Sequence, residues 1–187
     1  MLVNLFRKTK TAGNIITPAE ARAQCNIVGD TDFDAEINWF VERAQNALEI
    51  DGTITICFLK STFESIHETK RNRIALPKSP VQSVESVETR TLYGADWDTI
   101  NDWDLEMGDE ISYVILPAST INDPIQYRVN FTAGYDTVAD IPAAAKQAVA
   151  VLTAAFFNDR EAQTTDDLKM NPLAYQSVIN LLRRGNL

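Results

Sequence analysis

Histidine occurs once in this chain, cysteine twice and glycine seven times, and each scarcity removes a class of chemistry. A Ser-His-Asp triad would have to use His67, and no G-x-S-x-G accompanies it. His67 lies in the polar stretch Glu64-Ser-Ile-His-Glu-Thr-Lys-Arg, which reads as a solvated strand end. Cys25 and Cys57 are too few for a disulfide framework or a thiolate zinc site, so they read as small buried residues in a reducing compartment. The glycines are not clustered to cradle phosphate: G-x-x-x-x-G-K-[ST] and G-x-G-x-x-G are missing, as are H-E-x-x-H and C-x-x-C. No apolar run approaches the roughly 18 residues of a membrane span. The opening MLVNLFRKTK puts its basic residues after a short apolar stretch, the reverse of a signal peptide, so export is not expected.

Basic charge is also missing where an acidic surface builds up. The net charge is −9, and Thr91 to Tyr127 holds Asp96, Asp98, Asp102, Asp104, Glu106, Asp109, Glu110 and Asp123 with no Lys or Arg. Lys and Arg collect instead at Arg7-Lys8-Lys10, Lys70-Arg71-Arg73 and Arg183-Arg184. A broad grip on a phosphate backbone needs clustered cations, which this distribution does not supply. The acids do not make an EF-hand either, since the sixth position counted from Asp102 is Met107 where that loop needs Gly. They read as a solvated acidic loop.

What is present is an ordinary globular composition, 45% hydrophobic and 23% charged over 187 residues. That length suits one domain, or one domain with a large insertion, with about 70% of its surface buried. Residues 1–16 lack periodicity and read as an arm. Thr17-Pro-Ala-Glu20 joins an N-cap hydroxyl, a first-turn Pro and a capping-box Glu, so a short helix starts there and ends near Asn26–Gly29. Thr31 or Asp32 caps a longer helix whose Phe33, Ile37, Phe40, Val41, Ala44 and Leu48 share one face, and Asp51-Gly52 stops it.

From Thr53 the period becomes two. Ile54, Ile56 and Phe58 alternate with polar neighbours, as do Ile111, Tyr113 and Ile115, and most cleanly Tyr127, Val129 and Phe131. Val81, Val84 and Val87 recur every third residue, which predicts a strand with a bulge. Helical spacing returns at Asp140-Ile-Pro142, with a stripe of Ala145, Ala148, Val149, Leu152 and Phe156. A polar loop over residues 163–171 then leads to a last helix opened by Pro172, with Tyr175, Val178, Ile179 and Leu182 on one face. The expected fold class is α+β: a discontinuous α-helical bundle built from both chain ends, with a β-rich insertion between the second and third helices. In residues, the arm is 1–16, the helical core 17–52 and 136–187, and the insertion 53–135.

No catalytic constellation stands out, which favours a binding or assembly protein. In order and spacing, several segments resemble the head–tail connector (adaptor) proteins of long-tailed bacteriophages and related gene transfer agents, in their longer form with a β insertion. These are Ile16-Thr-Pro-Ala-Glu-Ala-Arg, Ala75-Leu-Pro-Lys-Ser-Pro-Val-Gln-Ser-Val-Glu-Ser-Val and Val129-Asn-Phe-Thr-Ala-Gly-Tyr. Ile141-Pro-Ala-Ala-Ala-Lys-Gln-Ala-Val, Phe156-Phe-Asn-Asp-Arg-Glu and Leu181-Leu-Arg-Arg complete the series, which runs from Ile16 to Arg184. The chain departs from the family in its acidic, Trp-containing insertion (Trp97, Trp103) and in the little chain that follows Arg184.

The resemblance implies a structural virion protein of the phage neck, with no enzymatic activity and no cofactor or metal. Its partners would be the portal protein, a stopper or tail protein, and copies of itself in a twelve-fold ring. Double-stranded DNA would pass through without specific binding, no membrane would be involved, and assembly would take place in the bacterial host cytoplasm. Ala150, Ala154, Tyr175, Arg183 and Arg184 are the candidate partner or subunit contacts. For the Ala-rich helix, the sequence does not separate subunit contact from an ordinary core role. Asp96, Asp98, Asp102, Asp104 and Glu106 are the candidate lumen wall. Three alternatives share the composition: another neck component (stopper or tail-completion protein), a soluble protein-binding module, and a hydrolase using paired carboxylates.

Overall fold

The computed structural model describes residues 1–50, 55–91, 96–108, 111–117 and 125–158. In chain order these form β1 (Leu2–Lys10), α1 (Pro18–Gln24), α2 (Asp34–Ile50), β2 (Ser61–Thr69), β3 (Arg73–Ala75), β4 (Val81–Thr91), β5 (Asp98–Ile100), β6 (Asp104–Glu106), β7 (Tyr113–Ile115), β8 (Ile125–Ala133), a 3-10 turn (Val138–Asp140) and α3 (Ala143–Asn158). Helices and antiparallel sheets both contribute, so the class is α+β. The chain divides into two compact units, residues 1–11 with 55–136, and residues 12–54 with 137–187.

The β unit is organised around β8. Its alternating Tyr127, Val129 and Phe131 are fully buried, so one side of the strand faces a core. The five-stranded sheet runs β1-β2-β8-β4-β5, with β8 in the middle, and a three-stranded sheet runs β3-β7-β6. Every ladder is antiparallel. Phe63, Val87, Ile74, Leu76 and Val114 join Tyr127, Val129, Phe131 and Ala133 of β8 in one apolar cluster. The other side of the large sheet is polar and paired across strands. Asn130 donates to Ser86 Oγ at 2.9 Å, Thr132 donates to Glu85 at 2.6 Å, Arg90 forks onto Gln126 Oε1 at 3.0 and 2.9 Å, and Arg128 pairs with Glu88.

The three-residue spacing of valines on β4 has the expected cause. Its register against β8 shifts between Val81 and Ser83 and again between Val84 and Ser86. Each extra residue resets the alternation, so Val81, Val84 and Val87 all return to the core side.

Four expectations in this unit are corrected. Residues 2–10 are a nine-residue strand and no arm: β1 pairs with β2 from Leu2↔His67 to Lys10↔Ser61, and Leu5 packs on the core. Its alternation is hidden because the register shifts between Leu2 and Asn4 and between Arg7 and Thr9. The stretch around Ile56 and Phe58 makes only isolated bridges, Ile56↔Ser79 and Leu59↔Tyr135, and the ladder begins at Ser61. Cys57, Phe58 and Leu59 are buried in succession there, which an alternating strand with one wet face does not do. Around Tyr113 the strand exists with its faces reversed: Ser112, Val114 and Leu116 are buried. Tyr113 instead lies under the Arg73 guanidinium at 3.7 Å. His67, finally, is buried, at 4% exposure, because the inward face of β2 is the small, polar series Ser61, Ser65 and His67 beside Phe63.

In the helical unit α1 starts as its sequence demands. Thr17 Oγ1 accepts from the Glu20 amide at 3.2 Å while the Glu20 carboxylate accepts from the Thr17 amide at 2.6 Å, a complete capping box. The helix ends at Cys25 and Asn26, the latter at φ +60°, a conformation Asn tolerates. On α2 the buried stripe is Ile37, Phe40, Val41, Ala44 and Leu48. Gln45 on the same helix accepts from the Ile15 amide at 2.6 Å and donates to the Gly13 carbonyl at 3.3 Å, which ties residues 13–15 down. On α3 the aromatic residue in the stripe is Phe157 and not Phe156. Phe157 meets Phe33 and Phe40 edge-on at 6.1 and 6.2 Å, the perpendicular geometry that suits aromatic quadrupoles. The expected last helix lies outside the described residues.

Candidate functional site

His67 is the first place to look for chemistry, because its Nε2 lies 2.9 Å from Ser65 Oγ. The pair has the spacing of a nucleophile and its base but not the access. Ser65 is fully buried, and its hydroxyl also points at the Val129 carbonyl, 3.5 Å away. With that hydroxyl donating to the carbonyl, the imidazole donates to Ser65, the opposite of a proton-abstracting arrangement. Burial pushes the His67 pKa down to about 4, and the Met1 ammonium acts in the same direction. The pair is therefore a neutral structural contact. A cleft of about 560 Å³ opens beside His67, lined by Leu2, Thr55, Arg71, Ile74, Leu76 and Ile111 among others. Arg73, at its edge, is already held by Glu106 at 2.7 Å and by the Tyr113 ring.

The acidic candidates are spread over two sheets. Asp98 is on β5, Asp104 and Glu106 are on β6, and Asp96 and Asp102 lie in the connections; all five are exposed. The two tryptophans of the acidic stretch are both held by packing. The guanidinium groups of Arg90 and Arg128 both lie over the Trp97 ring, at 4.3 and 4.6 Å from its centre, and Trp103 packs on the apolar cluster. The two indoles therefore anchor the acidic stretch to the sheet unit while its carboxylates stay in water. Among the described residues no group of three or more His, Cys, Asp or Glu is placed to hold a metal ion, and no helix is long and apolar enough to cross a membrane.

The remaining candidates separate. Ala150 and Ala154 are each 8% exposed within a single chain, which leaves little of either for a second copy. Tyr175, Arg183 and Arg184 lie outside the described residues, as do Asp109, Glu110 and Asp123.

Sequence reasoning missed two surface features. The edge strand β1 exposes Leu2, Val3 and Phe6 by 41, 41 and 46%. The signal is the apolar run MLVNLF that opens an otherwise aperiodic segment. On α2, Trp39 is 55% exposed and Arg43, one turn on, lies over both Trp39 and Phe156 at 5.6 and 4.3 Å.

No protein-family model matches the chain, and no curated protein matches it. Solved structures do match in fold. One is a chain in the neck of an empty gene transfer agent (GTA) particle computed with C6 symmetry, at 21% identity and a TM-score of 0.69, covering 97% of this chain and 94% of that one. A second, in the virion of a native GTA particle, is 20% identical with a TM-score of 0.70, covering 95% and 94%. A third, in the neck of a native GTA particle computed with C12 symmetry, is 18% identical with a TM-score of 0.60, covering 97% and 94%. Over nearly its whole length, this chain is similar in fold to chains of GTA particles, two of them from the neck.

Proposed function

We propose that this chain is a structural, non-enzymatic protein of the neck of a bacteriophage or gene-transfer-agent particle. More specifically, it acts as the adaptor that forms a ring under the portal, extends the DNA channel and docks the next neck or tail protein. The observation that carries this reading is the coverage: the fold likeness spans 97% of this chain and 94% of a GTA neck chain. The neck structures were solved with C6 and C12 symmetry, which supports copies of this chain arranged as a ring, twelve in number. In such a ring the exposed carboxylates of Asp96, Asp98, Asp102, Asp104 and Glu106 belong on the channel side. A basic wall would hold phosphates and slow the genome, whereas an acidic wall repels the duplex and leaves it free to slide. Screening confines that repulsion to about 8–10 Å at physiological salt, so only lumen-facing groups matter.

The test is to mix the purified chain with its portal and follow the mass by sedimentation, then image the complex by cryo-EM. The expected result is a weakly associating chain that the portal assembles into a ring with an acidic lumen. A tight two-fold dimer that ignores the portal would overturn the proposal, since an isologous pair cannot propagate a ring. So would duplex binding that weakens steeply with salt, the mark of a cationic wall.

A further inference from the structure

We infer that the two outer edges of the five-stranded sheet, β1 and β5, are complementary halves of one contact between successive copies of this chain. The sheet of one copy then continues into the sheet of the next. The inference rests on the ring reading above and deepens it by naming the seam.

Among the described strands, β1 pairs only with β2 and β5 only with β4, so each presents a row of backbone N–H and C=O groups outward. Exposed edges are usually guarded by charge, bulges or shortness. β5 is short, at three residues, and flanked by carboxylates. β1 is nine residues long and guarded at one end only: Lys8 and Lys10 occupy its last turn of chain, while Leu2, Val3 and Phe6 remain substantially exposed. That apolar half suits pairing better than solvent.

Charge selects the occupant. β1 carries Arg7, Lys8 and Lys10 and no acid; residues 96–104 carry Asp96, Asp98, Asp102 and Asp104 and no base. Lys8 is steadied by Glu64 at 3.0 Å and the Arg7 guanidinium by the Phe63 ring at 5.4 Å, so the cations are fixed along the strand. Pairing β5 with β5 sets aspartates against aspartates, and pairing β1 with β1 brings together two cationic strands. Pairing β1 with β5 brings opposite signs together at Asp96 and Asp98, and leaves Asp102 and the β6 residues Asp104 and Glu106 for the channel side. Such a head-to-tail contact is heterologous, and repeated by rotation it closes into a ring.

Strand direction agrees. All four ladders of the five-stranded sheet are antiparallel, so its first and last strands run the same way. A copy related by rotation about an axis along the strands therefore offers its β1 parallel to β5. With three residues on one side, the seam makes few hydrogen bonds per copy. It becomes effective when ring closure and the portal supply many such contacts together.

The experiment uses the full chain with single cysteines introduced on one edge (L2C, N4C or F6C) and, in separate preparations, on the other (D98C or T99C). The native Cys25 and Cys57 are buried, which keeps background cross-linking low. Pairs are mixed at high concentration, with portal present in a parallel sample, and oxidised. The expected result is a disulfide-linked dimer only when β1 and β5 variants are mixed. In this mixed reaction, D98K added to the T99C variant should lower the yield about fivefold at low salt, with K8E/K10E on the β1 variant restoring it. Adducts within a single β1 preparation would show two-fold edge pairing and overturn the proposal, as would no adduct under any condition. Rings seen by electron microscopy without the mixed adduct would sink the seam and leave the neck reading standing. The mixed adduct without rings or portal binding would support the seam and count against the neck reading.

Discussion

Phe63 of β2 and Phe131 of β8 lie ring on ring across the ladder, centroids 5.4 Å apart and planes 22° from parallel, and the Arg7 guanidinium sits 5.4 Å from the Phe63 ring. Three adjacent strands are thus joined by one stack through the core of the β unit, and both rings are almost fully buried.

Truncating Phe131 to Ala should destabilise that unit by about 3–5 kcal/mol, the usual result of removing a buried aromatic. Arg7→Ala, which leaves the two rings in place, should remove less than about 1 kcal/mol. Urea unfolding followed by tyrosine and tryptophan fluorescence separates the two. Equal losses would show that the stack is not the main tie.

The buried imidazole makes stability depend on pH. The pKa of His67 is lowered from 6.5 to about 4 in the folded chain, so between those values the unfolded state binds the extra proton. Stability should therefore rise with pH across that window, by about 3 kcal/mol in all, and be lost as the solution is acidified from pH 6.5 towards 4. In H67Q this component of the slope should vanish, whatever the substitution does to stability at neutral pH. Chemical denaturation at a series of pH values checks it. An unchanged slope would place the proton elsewhere.

Gly134 is required by its backbone. Its φ is +106°, and a Cβ there would stand 2.6 Å from the Leu59 carbonyl oxygen and 2.9 Å from the Lys60 nitrogen. The same residue donates to the Pro80 carbonyl at 2.8 Å and accepts from Gln82 at 2.7 Å. Gly134→Ala should cost about 3 kcal/mol or more, seen as a sharp drop in melting temperature or as insoluble protein. A near-neutral result would mean that this turn readily rearranges.

The capping box gives a smaller, local effect. Thr17→Ala should lose about 1 kcal/mol, with faster amide hydrogen exchange over α1 and little change in the β unit. Hydrogen bonding to Thr17 also lowers the Glu20 pKa, so this contribution fades as Glu20 protonates in acid.

The same two features show what a sequence can reveal. The capping box is legible because it is local: two residues three positions apart, Thr17 and Glu20, carry all its hydrogen bonds. β8 is legible because it is central, so its alternation is enforced on both sides by neighbouring strands. β1 was illegible for the opposite reasons, being an edge strand with two register shifts and most of its residues exposed. His67 looked solvated because its neighbours are polar, and only the ladder with Tyr127 puts it inside. The reversed face at Tyr113 follows from a long-range partner, Arg73, that no local pattern announces. Of the candidate site, the exposure of the five carboxylates was legible. The burial of Ala150 and Ala154 was not, since an alanine stripe suits a core and a contact equally well.

The interleaving of the two units has a consequence for synthesis. Residues 1–11 belong with 55–136, yet the whole first helical segment is threaded between them. β1 is therefore made before β2 and finds it only after about fifty more residues have been made, a wait of roughly 3–10 s at ordinary elongation rates. During that interval the apolar start of the chain has no native partner, while α1 and α2 already have the local sequence to form. Transplanting β1 to the far end of the gene would lengthen its separation from β2, and removing it would uncover the long edge of β2. The order of segments along the message thus sets how long β1 must wait for its ladder partner.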